Sequence, residues 1–139
     1  MNIVVAGGTG FIGQKIVSSL IDNGHKVFVL TRDLQKHKNT FSKKVDIIDW
    51  TFVNPSLLNE TNILIKLNGE KVDQLWTKSV KNKILNSRID SSKMLFDFCL
   101  KNEIIPQKLI NASAVEFTLK NPELIIIRLM KILNLETPF

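Results

Sequence analysis

Three glycines, Gly7, Gly10 and Gly13, punctuate the run Ala6-Gly7-Gly8-Thr9-Gly10-Phe11-Ile12-Gly13 at intervals of three. Residues without side chains at this spacing suit one kind of chemistry: holding a diphosphate against bare backbone N–H groups. Gly7 takes the tight turn that leaves a strand. Gly10 removes a Cβ where the anionic ligand must approach the chain, and Gly13 lets the next helix pack closely on that strand. Thr9, Phe11 and Ile12 complete the candidate binding set, because a helix beginning here presents unpaired N–H groups and a favourable dipole.

Such a loop means something only between a strand and a helix, and both are there. Ile3-Val4-Val5-Ala6 is a short apolar run rich in β-branched residues, suited to a strand buried on both faces. From Phe11 to Asn23, Ile12, Ile16, Val17, Leu20 and Ile21 recur at spacings of three and four, one face of a helix, and Gly24 stands at its C-terminal cap. Lys26 to Thr31 reads as a second buried strand, Val45 to Ile48 as a third and Ile63 to Leu67 as a fourth. The longest helical pattern runs from Thr77, a plausible N-cap, to Asn102, with Val80, Ile84, Leu95, Phe98 and Cys99 along its apolar stripe. Ser87 and Ser91 fill the intermediate turns. Lys108 to Ala112 gives a fifth strand and Leu124 to Ile127 a sixth. This alternation predicts an α/β fold: a doubly wound parallel sheet of Rossmann type, in order 3-2-1-4-5-6, with the glycine loop at the switch point between strands one and four.

The end of the second strand selects the dinucleotide. A fold specific for NAD usually places a carboxylate there for the ribose 2′-OH. This chain reads Thr31-Arg32-Asp33. Arg32 can pair with a 2′-phosphate that a carboxylate would repel, so NADP is expected rather than NAD; a one-residue change of register hands the site to Asp33. Trp50, at the end of the third strand, is open to two readings, stacking near an adenine or packing in the core.

Composition narrows the rest. With 139 residues the chain has room for one domain, spanning 1–139. One cysteine and two histidines offer no metal-ligand spacing and no internal disulfide. The net charge of +6 comes from scattered lysines, which favours a phosphorylated ligand by long-range attraction but makes no nucleic-acid groove. No apolar run is long enough to span a bilayer and no cleavable leader opens the chain, so a soluble, cytoplasmic protein is expected.

Three stretches carry a resemblance: the glycine run; Leu75-Trp76-Thr77 through Ser87-Arg88-Ile89; and Asn111-Ala112-Ser113-Ala114-Val115. Together they resemble the extended short-chain dehydrogenase/reductase superfamily. Within it they are most similar to the atypical nucleoside-diphosphate-sugar epimerase branch of the NAD-dependent epimerase/dehydratase family. The resemblance covers Met1 to about Phe117. It implies that Leu67, Asn68 and Gly69, after the fourth strand, line the cofactor, and that Ser113 hydrogen-bonds a substrate hydroxyl or carbonyl. Where the family pattern resembles Ile-Asn-Leu-Ala-Gly-Glu, this chain has Ile65-Lys66-Leu67-Asn68-Gly69-Glu70. Asn68 is thereby expected to crowd the nicotinamide side.

In active superfamily members a tyrosine, its pKa lowered by a lysine, is the base; this chain contains no tyrosine. Residues 118–139 look like a later strand and helix reached without the intervening catalytic helix, so an internal deletion and a missing C-terminal substrate region are expected. Ser113 alone is not an activated nucleophile, since neither His25 nor His37 lies in a motif that would set a base beside it. Two functions follow. One is a dinucleotide-binding, catalytically impaired relative of such epimerases, with a homodimer as one means of covering the exposed cleft wall. The other is an active NADP-dependent epimerase or oxidoreductase acting on a nucleotide sugar or small carbonyl compound.

Overall fold

The computed structural model describes residues 1–41, 45–50 and 60–112. Five parallel strands form one sheet in the order β3-β2-β1-β4-β5, from β1 (Asn2–Ala6), β2 (Lys26–Thr31), β3 (Val45–Asp49), β4 (Thr61–Lys66) and β5 (Lys108–Asn111). The first strand is central, as expected; the sixth lies outside the described residues.

The period-two alternation of the strands divides the apolar residues between two cores. Ile3 and Val5 of β1, Val27 and Val29 of β2, and Ile63 and Ile65 of β4 face one side. There they meet Ile16, Val17 and Leu20 of α1 (Phe11–Asp22). Val4, Ala6, Phe28, Leu30 and Leu64 face the other side and meet Leu95 and Phe98 of α3 (Lys78–Lys101), with Ile104 just beyond it. Each such side chain taken out of water contributes about 1.5–3 kcal/mol before the entropy of ordering it is subtracted. The uninterrupted apolar runs of β1 and β2 are therefore a consequence of having a helix on each side.

The helix ends are chemically distinct. Gly24 has φ +76°, and its N–H and that of His25 close onto the carbonyls of Ile21 and Leu20, ending α1 as the glycine predicted. Thr77 caps α3, its Oγ1 accepting from the Val80 N–H at 3.3 Å. The α3 stripe is buried deepest in its carboxyl half, at Leu95 and Phe98, while Val80 and Ile84 are only half-buried. Trp50 is settled as a packing residue: its ring meets that of Phe98 edge-on, with centroids 5.5 Å apart, beside the second core. A one-turn helix, α2 (Leu34–His37), follows β2 and was not evident from the apolar pattern, since none of its residues is buried.

Candidate functional site

The carboxyl ends of β1 and β4 adjoin, and the chain leaves them in opposite directions, towards α1 and towards α3. This is the switch point, where open parallel sheets bind their ligands. The glycine loop fills its α1 side. Gly7 has φ +85°, and a Cβ there would come within 2.6 Å of the Asn68 backbone N and 2.9 Å of its Cα. Gly7 thus serves a close approach of two loops as well as a turn. A Cβ on Gly13 would strike the Gly7 carbonyl oxygen and lie 2.6 Å from the Gly8 Cα, so its absence lets α1 start directly against the loop. Gly8, for which the sequence suggested no role, is buried with Val29 methyl carbons 3.0 Å from its Cβ position. Gly10 differs from all of these. It is exposed, and a Cβ there would find only the Gly7 oxygen, at 3.4 Å. Its lack of a side chain answers no packing need within the described residues.

Gly10 is also the N-cap of α1, with no side-chain hydrogen bond capping the helix and no acidic residue in the first turn. The N–H groups at this end are left without an anionic partner, and the Gln14 side chain, which donates to the Thr9 carbonyl at 2.8 Å, braces the loop from outside. Phe11 is exposed, with the Lys15 ammonium 5.2 Å from its ring centroid, while Ile12 turns towards the first core.

At the end of β2, Thr31 is buried and its Oγ1 accepts from the Asp33 N–H at 3.2 Å. The Asp33 carboxylate accepts from the Lys36 N–H at 3.0 Å and caps α2. Asp33 is therefore engaged in holding its own loop, and Arg32, exposed between them, is the charge offered at the carboxyl edge of β2.

On the other side, Leu67 donates its N–H to the Ala6 carbonyl at 2.8 Å and carries the β1–β4 pairing one step past the strand. The Asn68 Oδ1 is buried with no hydrogen-bond partner. Gly69 lies under Arg88 of α3, its Cβ position 3.6 Å from the guanidinium carbon. The Glu70 N–H donates to the Ser87 Oγ at 2.9 Å, and Ser87 in turn donates to the Ile84 carbonyl. Ser87 and Arg88 thus clamp the 67–70 loop to α3, a positioning role visible beforehand only as a motif in the resemblance. Ser113 lies outside the described residues.

His25 precedes β2, at the sheet's amino end; it is half-buried, and burial, with the N-terminal charge second, lowers its pKa. His37 is half-buried in α2, its Nδ1 3.4 Å from the Thr40 Oγ1. Burial also raises the pKa of the Cys99 thiol, making it a packing group rather than a reactive one. Among the described residues no group of three His, Cys, Asp or Glu side chains is placed to hold a metal, and no helix is long and apolar enough to cross a membrane.

An all-parallel sheet with helices on both faces and a glycine loop at its switch point defines a Rossmann-type NAD(P)-binding fold. The chain belongs to the NAD dependent epimerase/dehydratase family, whose model matches residues 3–128. It is 33% identical over 118 residues to the epimerase family protein YfhF of Bacillus subtilis, covering 83% of this chain and 38% of that one. It is 31% identical over 115 residues to the epimerase family protein SSP1921 of Staphylococcus saprophyticus, covering 82% and 38%. The chain thus spans 38% of the length of these relatives. Among solved structures, the human epimerase family protein SDR39U1 with NADPH shares the fold at TM-score 0.60 and 22% identity, over 87% of this chain and 39% of that one. Yeast methylglyoxal/isovaleraldehyde reductase Gre2 with NADPH does so at TM-score 0.62 and 18% identity, over 82% and 37%.

Proposed function

We propose that the chain binds a nicotinamide dinucleotide, NADP in preference to NAD, and is catalytically impaired as it stands. The observation that carries this is Gly10: an exposed glycine with an open Cβ position at the uncapped N-terminus of α1. In this reading Thr9, Gly10, Phe11, Ile12 and Gly13 direct backbone N–H groups at the diphosphate. Thr31 and Arg32 flank the adenosine ribose, with Asp33 removed from competition by capping α2. Leu67, Asn68 and Gly69 line the nicotinamide side. There the unpartnered Asn68 Oδ1 is an acceptor that a hydroxyl or amide group of the ligand can satisfy, so Asn68 either crowds that end or binds it. A bound nicotinamide supplies hydride transfer. Related folds carry both forms of the ligand: the human and yeast structures are named with NADPH, and a UDP-glucuronic acid 4-epimerase from Bacillus cereus with NAD.

Impairment is argued from the residues this chain lacks. Ser113 supplies a hydrogen bond to substrate in the family, but the tyrosine that would act as base has no counterpart here. We place the protein in the cytoplasm. We further propose self-association through α3, where Leu85, Ile89, Phe96 and Leu100 are exposed.

Two measurements test the reading. In calorimetry NADPH should bind more tightly than NADH, and Arg32→Asp should remove a preference of about tenfold, the worth of one charge-assisted contact. Equal affinities in the unaltered protein would refute the NADP assignment. Nicotinamide absorbance, followed across nucleotide sugars and small carbonyl compounds, should show no steady turnover. Turnover that disappears in Ser113→Ala would restore an active epimerase or oxidoreductase.

A further inference from the structure

Lys66 is the last residue of β4 and only 5% exposed. Its register neighbours are Ala6 on β1 and Asn111 on β5. Alternation along β4 places it on the same side as Leu64, facing α3, at the switch point but across the sheet from the glycine loop. A buried ammonium normally has a carboxylate or a set of acceptors around it. Lys66 has none among the described residues. The charge that bears on it is another cation, Arg88, and burial and that guanidinium together lower its pKa. Arg88 is held in place, with Nη1 donating to the Ile84 carbonyl at 3.0 Å and the guanidinium lying over Gly69. One hydrogen bond leaves most of its five donors unused.

Two cations at a ligand-binding edge, one buried and one fixed, form an arrangement that is unfavourable when empty and relieved by an anion between them. We propose that Lys66 and Arg88 form an oxyanion site on the α3 side of the switch point, taking the carboxylate or phosphate group of a small-molecule substrate. This rests on reading the carboxyl edge as the ligand crevice, and it deepens that reading by making the substrate acidic. The dinucleotide diphosphate and the substrate anion then occupy opposite sides of the β1–β4 junction, so each has its own electropositive group. The substitution that creates the site is Lys66 itself, where the family pattern resembles asparagine.

At this size, amide NMR can read the site residue by residue. Acetate and inorganic phosphate are titrated separately at constant ionic strength into the unaltered protein, Lys66→Asn and Lys66→Gln, and NADPH is titrated into the same samples. The expected result is a saturable shift of the Gly69, Glu70 and Arg88 amides, weakened about tenfold or more in both variants. A response to acetate assigns a carboxylate, and a response to phosphate alone assigns a phosphate group. Shifts confined to Gly10–Gly13, an equal response in the variants, or no response would overturn the proposal. Neither variant touches the glycine loop, so NADPH binding judges the dinucleotide independently. NADPH binding without an anion response at Lys66 removes only this inference; an anion response without NADPH binding removes only the dinucleotide.

Discussion

Gly13→Ala should destabilise the protein by about 3 kcal/mol or more, the upper range for forcing one extra carbon into a packed site. The new methyl would meet the Gly7 carbonyl oxygen and the Gly8 backbone, its Cβ 2.6 Å from the Gly8 Cα. Backbone cannot rotate aside as a flexible side chain can. Relief requires α1 to move away from β1, which loosens Ile16, Val17 and Leu20 from the first core. Urea denaturation followed by circular dichroism gives the midpoint, and an unchanged midpoint with an unchanged slope would show that the helix start is not locked against the loop.

The companion substitution separates folding from binding. Gly10→Val should cost under about 1 kcal/mol of stability, because Gly10 is exposed and its φ of −75° and ψ of 171° are extended angles that valine adopts readily. The same substitution should weaken dinucleotide binding about 100-fold or more, since the isopropyl group would stand where a diphosphate must reach the α1 N–H groups. Calorimetry with NADPH on a protein shown to be folded reads this directly. Retained affinity would mean that the open position at Gly10 faces no ligand.

Much of this architecture was legible in the sequence because it rests on local chemistry. The strands declare themselves as apolar runs, and the switch point follows from a glycine loop between a strand and a helix. The order of β1 to β5 and the caps at Gly24 and Thr77 agree with that reading. What escaped it depends on contacts across space. α2 buries nothing, so no apolar period reveals it; only Asp33 three residues before Lys36 hinted at a capped turn. Trp50 had two equally good readings until Phe98 was found against it. The clamp of Ser87 and Arg88 on Gly69 and Glu70 joins residues seventeen or more positions apart, beyond any periodicity. The burial of Lys66 beside Arg88 needs knowledge of which face of β4 meets α3.

The central place of β1 also has a consequence during synthesis. Ile3 pairs with Val27 on one edge and with Ile63 on the other. As the chain emerges, β1 can acquire α1 and β2 early, yet its second edge stays open until the segment ending at Lys66 has appeared. Until then the most apolar strand of the protein presents a row of unpaired N–H and C=O groups to its surroundings. Closing that edge requires a long loop to be ordered before any of its contacts form, the slow kind of step in parallel sheets. The strand that organises the ligand crevice is thus, for a time, the part of the nascent chain most in need of protection from other chains.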